Sequence, residues 1–445
     1  MKEQVAALDF GSSKVALAVG KKAGAGIRIV AYYDAPSAGI ECGEIDNDFK
    51  VTETVRQLVE QAEKELGEKI EEVSIGLSGR VLHRKEQTSA IKRKNASSSI
   101  LEPEVQQIIS SQYKMSVGEG ETVFEVVPQR FSTEDRVGIV KDELIGMIGA
   151  EIESEFVLFS GRKAILDRRL KVLEQCGLIP YKAILAPIAS ARAVLTAREM
   201  ENGVALVDIG KGTTEVAIVK DYIVRHVAVI PFGGEAVTSD IKTETGITRQ
   251  WAENVKILQG HCCEEYAIEN RKLVLKDENN NVDFEVDLML LTRIIEARMS
   301  EIFDAVAFVI EQSGYANRIP SGVVITGGTA HLDNILQLVG SLLQRKVRLA
   351  APQGSITDDS AEYAFDVYAS TAVGLVLESL DPKLSNALEV EQEIQHQPVE
   401  PEPEPEPIKR GGFFGGRKSG KRSSRTDNGP SIFDEIFKID QNDQA

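Results

Sequence analysis

The sequence predicts an α/β fold of two similar halves, with two inserted subdomains and a disordered C-terminal tail ending in an amphipathic helix. Three stretches carry this prediction: VAALDFGSSKVALAVG at the start, GVALVDIGKGTTEVAIV about halfway, and SGVVITGGTAHLDNILQLV in the last third. The first two share a pattern, with their aspartates, Asp9 and Asp208, 199 residues apart.

In each of the first two stretches an apolar segment delivers the acid into a tight turn, and a second β-rich segment leaves as a hairpin would. Backbone N–H groups in such a turn can face an anion. Gly11, Gly210 and Gly212 let the main chain approach phosphate oxygens, because a Cβ would intrude. Ser12, Ser13, Thr213 and Thr214 add hydroxyl donors, Lys14 adds a point charge, and Asp9 and Asp208 face a bridging cation, Mg²⁺ held largely through its water shell. A single Asp-x-Gly hairpin is usually only a turn. Its duplication points instead to two halves of one phosphate clamp.

The third stretch runs an apolar strand into Gly327 and Gly328 and then into a helical pattern, the ingredients of a further nucleotide contact. Before it lie PFGGEAVTSDI, with Gly233 and Gly234, and RQWAENVKIL, with Glu253 and Lys256 three apart on one helix face. Outside these surroundings that pair would read as an exposed ion pair.

This order of motifs resembles the actin-like (RNase H-type) ATPase superfamily, with two phosphate loops, two connecting helices and an adenosine loop. The connecting helices would be APIASARAVLT, from near Ala186, and YASTAVGLVLE, from near Tyr368. Within the superfamily the stretches GLSGRVLH, VPQRF, GIVKDELIGMIGAEIESEFVLFSG, VIPFGGEAVTSDI, IIEARMSEIF and VVITGGTAHL look like the bacterial cell-division FtsA family, over roughly residues 5 to 378. The resemblance implies ATP and Mg²⁺ as cofactors. It gives Gly11 to Lys14 and Gly210 to Thr214 phosphate contacts, and it places Gly233, Gly234, Glu253, Lys256, Gly327 and Gly328 at the adenosine. It also implies polymerisation of the chain with itself and recruitment of later division proteins. Arg298 and Glu301, one turn apart in DLMLLTRIIEARMSEIFDAVAFVIEQ, would receive the carboxyl-terminal peptide of the tubulin-like protein FtsZ; without the family match they read as a solvated salt bridge.

The implied organisation divides residues 1–78 and 162–200, with a returning helix in 368–385, from residues 201–242 and 318–367. The insertions are residues 79–161 and 243–317. In the family the first of these sits on the opposite side from its actin counterpart and is implicated in filament and division-protein contacts. Residues 386–429 form a linker, acidic then basic, and residues 430–445 the final helix.

A length of 445 residues fits two or more domains. The net charge of −18 argues against nonspecific nucleic-acid binding by the body of the protein. Cys42, Cys176, Cys262 and Cys263 show no disulfide framework and fit a reducing cytosol; His261, Cys262, Cys263 and Glu264 have no second ligand pair to make a metal site. Nothing at the N-terminus resembles a signal peptide, and no apolar run approaches the ~20 residues a spanning helix requires. The expectation is a peripheral protein on the cytoplasmic side of the cell membrane, at the division septum.

Charge distribution supports a tethered tail. Residues 389–407 hold seven glutamates and no base, an extended spacer, and residues 409–425 carry seven Lys or Arg and no acid. In the final segment Ile432, Phe433, Ile436, Phe437 and Ile439 share a helical arc of about 160°. Ser431 and Asp434 provide a capping-type start. This looks like the family's membrane-targeting helix, yet the last fifteen residues hold four acids and one lysine. The preceding basic run would then supply attraction to the inner membrane face while the apolar arc inserts. A protein groove is the competing destination.

Hydrolysis needs a group that orients the attacking water. Where chaperone relatives have a glutamate before the proline of the first connecting helix, this chain has Ala186 before Pro187, which implies slow turnover with ATP as an assembly switch. Lys211 replaces a glycine of many relatives, and it either neutralises the third phosphate or points to solvent. Glu215 is a weak candidate for supporting a metal-bound water. The alternatives are a pilus-assembly protein of the PilM type and a small-molecule kinase or phosphatase on the same core; a chaperone would need a β domain after residue 380.

Overall fold

The computed structural model describes residues 2–387 apart from 25, 267–270, 278–281 and 355, together with residue 390. The final helix expected at 430–445, with Ile432, Phe433, Ile436 and Phe437, lies outside the described residues, as does most of the 386–429 linker.

Two five-stranded sheets repeat one topology. In the first, the spatial order is Ile179–Leu185, Glu72–Leu77, Gln4–Phe10, Lys14–Ala23, Gly26–Pro36. In the second it is Val347–Leu349, Val323–Thr326, Val204–Ile209, Thr214–Lys220, Ile223–Ile230. In both, three parallel strands are followed by two antiparallel ones. The central strands bear apolar residues on both pleat faces and bury nearly all of them, because helices and neighbouring segments cover both sides. In the first half, Asn47 caps the covering helix Asp48–Leu66 by accepting from the Lys50 N–H, and Gly67 ends it at φ 70°.

A layer of two helices lies between the sheets. Ala186–Val194 follows the first sheet in sequence and packs on Val204–Ile209 and Thr214–Lys220 of the second as well as on Glu72–Leu77 and Ile179–Leu185 of the first. Ser370–Leu380 follows the second sheet but packs on Gln4–Phe10 and Lys14–Ala23 of the first. Each half therefore supplies a helix to the other. The two helices touch backbone to backbone: a Cβ on Gly374 would lie 1.8 Å from the Ala189 carbonyl oxygen. The small residues in both helices make that approach possible.

Between Leu77 and Lys163 the first half carries a three-stranded antiparallel sheet, ordered His83–Lys92, Glu151–Arg162, Glu121–Ser132, and the helix Glu102–Gln112. This unit has a core of its own, in which Phe131 and Phe156 meet edge to face at 6.2 Å. Its Glu125 is fully buried and grips the chain beyond the last helix, accepting from Ser385 Oγ at 2.6 Å, the Asn386 N–H at 2.8 Å and Tyr113 Oη at 3.2 Å. Burial pushes the Glu125 carboxyl up to about 7 against those three donors. The second half carries the helix Arg249–Gln259, the hairpin Lys272–Asp277 with Val282–Asp287, and the long helix Leu288–Gln312, which Asp287 caps through the Met289 and Leu290 N–H groups.

Candidate functional site

The two hairpin turns face each other across a cleft of about 460 Å³, within the range of small-molecule sites. Asp9 is the last residue but one of the first central strand, opposite Ala16, and Asp208 holds the same place in the second, opposite Glu215. Of the phosphate contacts expected from sequence, Gly11, Ser12, Ser13, Lys14, Gly210, Lys211, Gly212 and Thr213 line this cleft together with both aspartates. The glycines are there for closeness. A Cβ on Gly11 would come 2.8 Å from the Lys14 carbonyl oxygen, and one on Gly212 would come 2.7 Å from Ser12 Oγ on the opposite turn. Thr214 is a correction: it is wholly buried, and its hydroxyl donates to the Phe232 carbonyl oxygen at 2.8 Å. As the first residue of the returning strand, it points to the face away from the cleft.

Three carboxyls, those of Asp9, Asp208 and Glu215, line the cleft. Burial raises Asp9 to about 6, aided by the charge of Asp208, and raises Glu215 to about 8, again with Asp208 contributing. Asp208 is itself raised by burial, although Ser190 Oγ donates to its Oδ2 at 2.7 Å. A site that makes three carboxyls resist ionisation favours a cation between them. Among the described residues no three His, Cys, Asp or Glu side chains converge tightly enough to hold a metal alone. A Mg²⁺ ion held by Asp9 and Asp208 would need its remaining ligands from a bound anion and water, which suits that ion. The cradle and the donor set fit a Mg²⁺-bound polyphosphate.

Lys14 is firmly placed. Its ammonium donates to Tyr32 Oη at 2.7 Å, stands 3.7 Å from the centre of the Tyr368 ring and lies 3.9 Å from Asp34. Lys211 is looser, with Glu235 at 3.9 Å as its ion-pair partner. Ala186 lines the cleft at the start of the first connecting helix, where a methyl group can neither orient nor deprotonate water.

The residues expected around the adenosine divide. Glu253, Lys256, Gly327 and Gly328 line the cleft. Gly233 and Gly234 do not; they lie behind the second turn, where a Cβ on Gly233 would come 2.5 Å from the Gly210 carbonyl oxygen and one on Gly234 would come 2.5 Å from Thr329 Oγ1. Their role is support, since the Gly234 and Glu235 N–H groups bond the Gly210 and Lys211 carbonyls at 3.0 and 2.8 Å. Lys256 is 6 % exposed, so the exposed ion pair is not what forms. Its ammonium donates to the Gly234 carbonyl oxygen, Thr238 Oγ1 and Glu253 Oε2 at 3.0, 2.9 and 2.9 Å. Burial lowers the Lys256 pKa; burial also pushes Glu253 up, but Lys256 and Thr238 outweigh it and hold Glu253 low. The glycine pair after Val323–Thr326 opens a single 3-10 turn, Gly328–His331, and the α-helix begins only at Ile335. Gly327 has φ +91°, and a Cβ there would lie 2.3 Å from Asp208 Oδ1, so the close approach is to the carboxylate rather than to a helix end.

Arg298 and Glu301 sit outside the cleft. Arg298 forks onto Asp240 at 2.5 and 3.1 Å and reaches Glu301 Oε2 at 2.6 Å. Cys262 is buried, and Cys263 Sγ faces the Asn334 carbonyl oxygen at 3.6 Å.

Several cleft residues carried no readable role in the sequence. Ser78 donates to Glu215, and its carbonyl oxygen accepts from the buried Arg169 at 3.1 Å; only its place in GLSGRVLH marked it. Ser190 lay within the small-residue run of the first connecting helix. Thr329, His331 and Thr371 also line the cleft, and none stands in a spacing that signals chemistry.

The model of the family described as cell division protein FtsA matches residues 205–374. The chain is similar to cell division protein FtsA of Neisseria meningitidis serogroup B, with 28% identity over 87% of this chain and 94% of that protein. It is also similar to those of Bacillus subtilis strain 168 (28% identity, 79% of each) and Escherichia coli strain K12 (27% identity, 88% of this chain and 93% of that protein). Among solved structures it superposes on the PilM-PilN type IV pilus biogenesis complex with a TM-score of 0.62 at 14% identity, covering 85% of this chain and 99% of that one. On MreB5 of Spiroplasma citri bound to ADP the TM-score is 0.51 at 13% identity, covering 89% and 99%. These likenesses establish the fold as actin-like.

Proposed function

We propose, for a chain of actin-like fold that is similar to FtsA cell-division proteins, that the cleft binds ATP with Mg²⁺ and that nucleotide governs its self-assembly beneath the cytoplasmic membrane. The observation that carries the nucleotide reading is the pair of hairpin turns facing one cleft, with Asp9 and Asp208 at matching positions and with Gly212 so close to the opposite turn that a Cβ there would come 2.7 Å from Ser12 Oγ. The ADP bound by MreB5 of Spiroplasma citri, on the same fold, supports it. Bound Mg²⁺ would neutralise phosphate charge beside Asp9 and Asp208. Lys14 and the hydroxyls of Ser12, Ser13 and Thr213 would orient the phosphates. With Ala186 at the start of the connecting helix, no side chain there orients or deprotonates the attacking water, and turnover is slow.

Asp208→Ala weakens Mg-ATP binding at least about tenfold in calorimetric titration while the chain stays folded. Unaltered affinity would remove Asp208 from the site.

The same family reading gives attachment of FtsZ to the membrane. Arg298 and Glu301, on the helix Leu288–Gln312, would meet the FtsZ carboxyl-terminal peptide, residues 430–445 would meet the lipid, and later division proteins would be recruited. Deleting residues 430–445 releases the protein from anionic liposomes; unchanged cosedimentation would sink the membrane assignment. Arg298→Glu abolishes capture of a fluorescent FtsZ peptide, and retained capture would move that contact elsewhere.

A further inference from the structure

Lys211 stands in the second phosphate turn at the position that Ser12 occupies in the first, counted from each aspartate. It lines the cleft and is about one-third exposed, so its ammonium can reposition without disturbing the core. Its partner is Glu235 Oε2 at 3.9 Å, the outer limit of an ion pair. Glu235 has a closer cation in Arg249, whose guanidinium lies 2.7 Å from the same oxygen. A pair this long and partly solvated binds weakly. Charge-assisted bonds from an ammonium to a phosphate oxygen are short and strong.

The main chain around the pair is tightly fixed. The Glu235 N–H donates to the Lys211 carbonyl oxygen at 2.8 Å, the Gly234 N–H donates to the Gly210 carbonyl oxygen at 3.0 Å, and Thr329 Oγ1 donates to that oxygen at 2.9 Å. The turn and the first residues of the helix Gly234–Thr245 therefore form one rigid piece. What can move is the side chain of Lys211, which has Glu235 and, at longer range, Glu253 as acidic neighbours and opens on the cleft where phosphates would lie.

We propose that Lys211 is a specificity-determining residue that reads the third phosphate of a nucleoside triphosphate, with Glu235 as the built-in competitor for its ammonium. The proposal rests on the nucleotide reading above. Lys14 would meet phosphate only from a fixed position, because its ammonium is held by Tyr32 Oη and the Tyr368 ring, so it does not adjust to the third phosphate. Arg249 keeps Glu235 neutralised when Lys211 turns to the phosphate, so the exchange strands no charge. Filling the third-phosphate position thus costs the protein little, and a diphosphate offers Lys211 less than a triphosphate does.

The test is calorimetric titration of the full chain with Mg²⁺ and either ADP or a non-hydrolysable ATP analogue, for the wild type, Lys211→Met, Glu235→Gln and the double variant. Lys211→Met is expected to weaken the triphosphate about tenfold and ADP less than about twofold, the size of one lost charge-assisted contact. Glu235→Gln removes the competitor and tightens the triphosphate about threefold, an effect absent from the double variant. An unchanged triphosphate-to-diphosphate ratio in Lys211→Met, with both nucleotides still bound, overturns the proposal and leaves the nucleotide reading intact. Failure of the wild type to bind either nucleotide removes that reading and the proposal with it. Equal losses for both nucleotides in Lys211→Met assign Lys211 to the inner phosphates and also overturn it.

Discussion

The two halves share a five-strand topology and a hairpin with an aspartate at the same place, yet they equip that hairpin differently. Opposite its aspartate the first half has Ala16 and the second has Glu215. The first half places its lysine five residues after the aspartate and fixes it on tyrosine; the second places its lysine three residues after and leaves it on a long ion pair with Glu235. The backbone thus supplies a symmetric cradle, and the side chains make one wall fixed and the other adjustable. A fixed wall suits binding any polyphosphate, whereas an adjustable wall suits telling one phosphate count from another.

The largest expected effect comes from breaking what the halves exchange. Gly374→Val forces a branched side chain into the Ala189 carbonyl and should destabilise the chain by about 4 kcal/mol, seen as loss of the cooperative melt. A wild-type melt would mean that the helices can separate without cost.

The next effect sharpens a difference in insertions. Among the described residues, the segment after the returning helix is gripped by Glu125 of the first half's insertion and by Glu378 of the helix itself, and by no residue of the second half's insertion. The folded-state pKa of Glu125 is raised from 4.5 to about 7, so the folded chain holds its proton to higher pH than the unfolded chain does. Its contribution is most favourable below about pH 4.5, declines as pH rises toward about 7 and is flat above. Wild type should therefore lose up to about 3 kcal/mol relative to Glu125→Gln across that window in denaturant titrations. A difference that does not vary with pH would show that Glu125 stays ionised throughout.

The smallest effect separates the two lysines. Lys14→Met should cost about 1–2 kcal/mol, because it strands the buried Tyr32 hydroxyl and removes the ring contact. Lys211→Met should cost less than about 0.5 kcal/mol, as for a long, partly solvated ion pair. Equal costs by chemical denaturation would erase the distinction between fixed and adjustable walls.

Much of the cleft was legible because its signals are local. An apolar run ending in Asp-x-Gly needs only a few neighbouring residues to specify a turn, and its repetition announced the second half. The buried Lys256 was not legible: a lysine three residues from a glutamate looks the same whether solvent or the helix Gly234–Thr245 covers it. Thr214 was misplaced for a similar reason, since one step along a strand reverses the face and the turn could not be bounded to a single residue. Ser78, Arg169 and Glu215 come together from three distant parts of the chain, and no spacing encodes their meeting.

By itself the sequence determined the α/β class, the duplicated Asp-x-Gly turns with Asp9 and Asp208, the two small-residue helices and the resemblance to FtsA, since each is written in contiguous residues. Tertiary structure alone decided that each half lends its helix to the other, that Glu125 holds the segment after the last helix, and that Gly233 and Gly234 support the turn rather than touch the cleft. Those outcomes depend on which surfaces meet and which groups lose water, and burial is a property of the assembled fold.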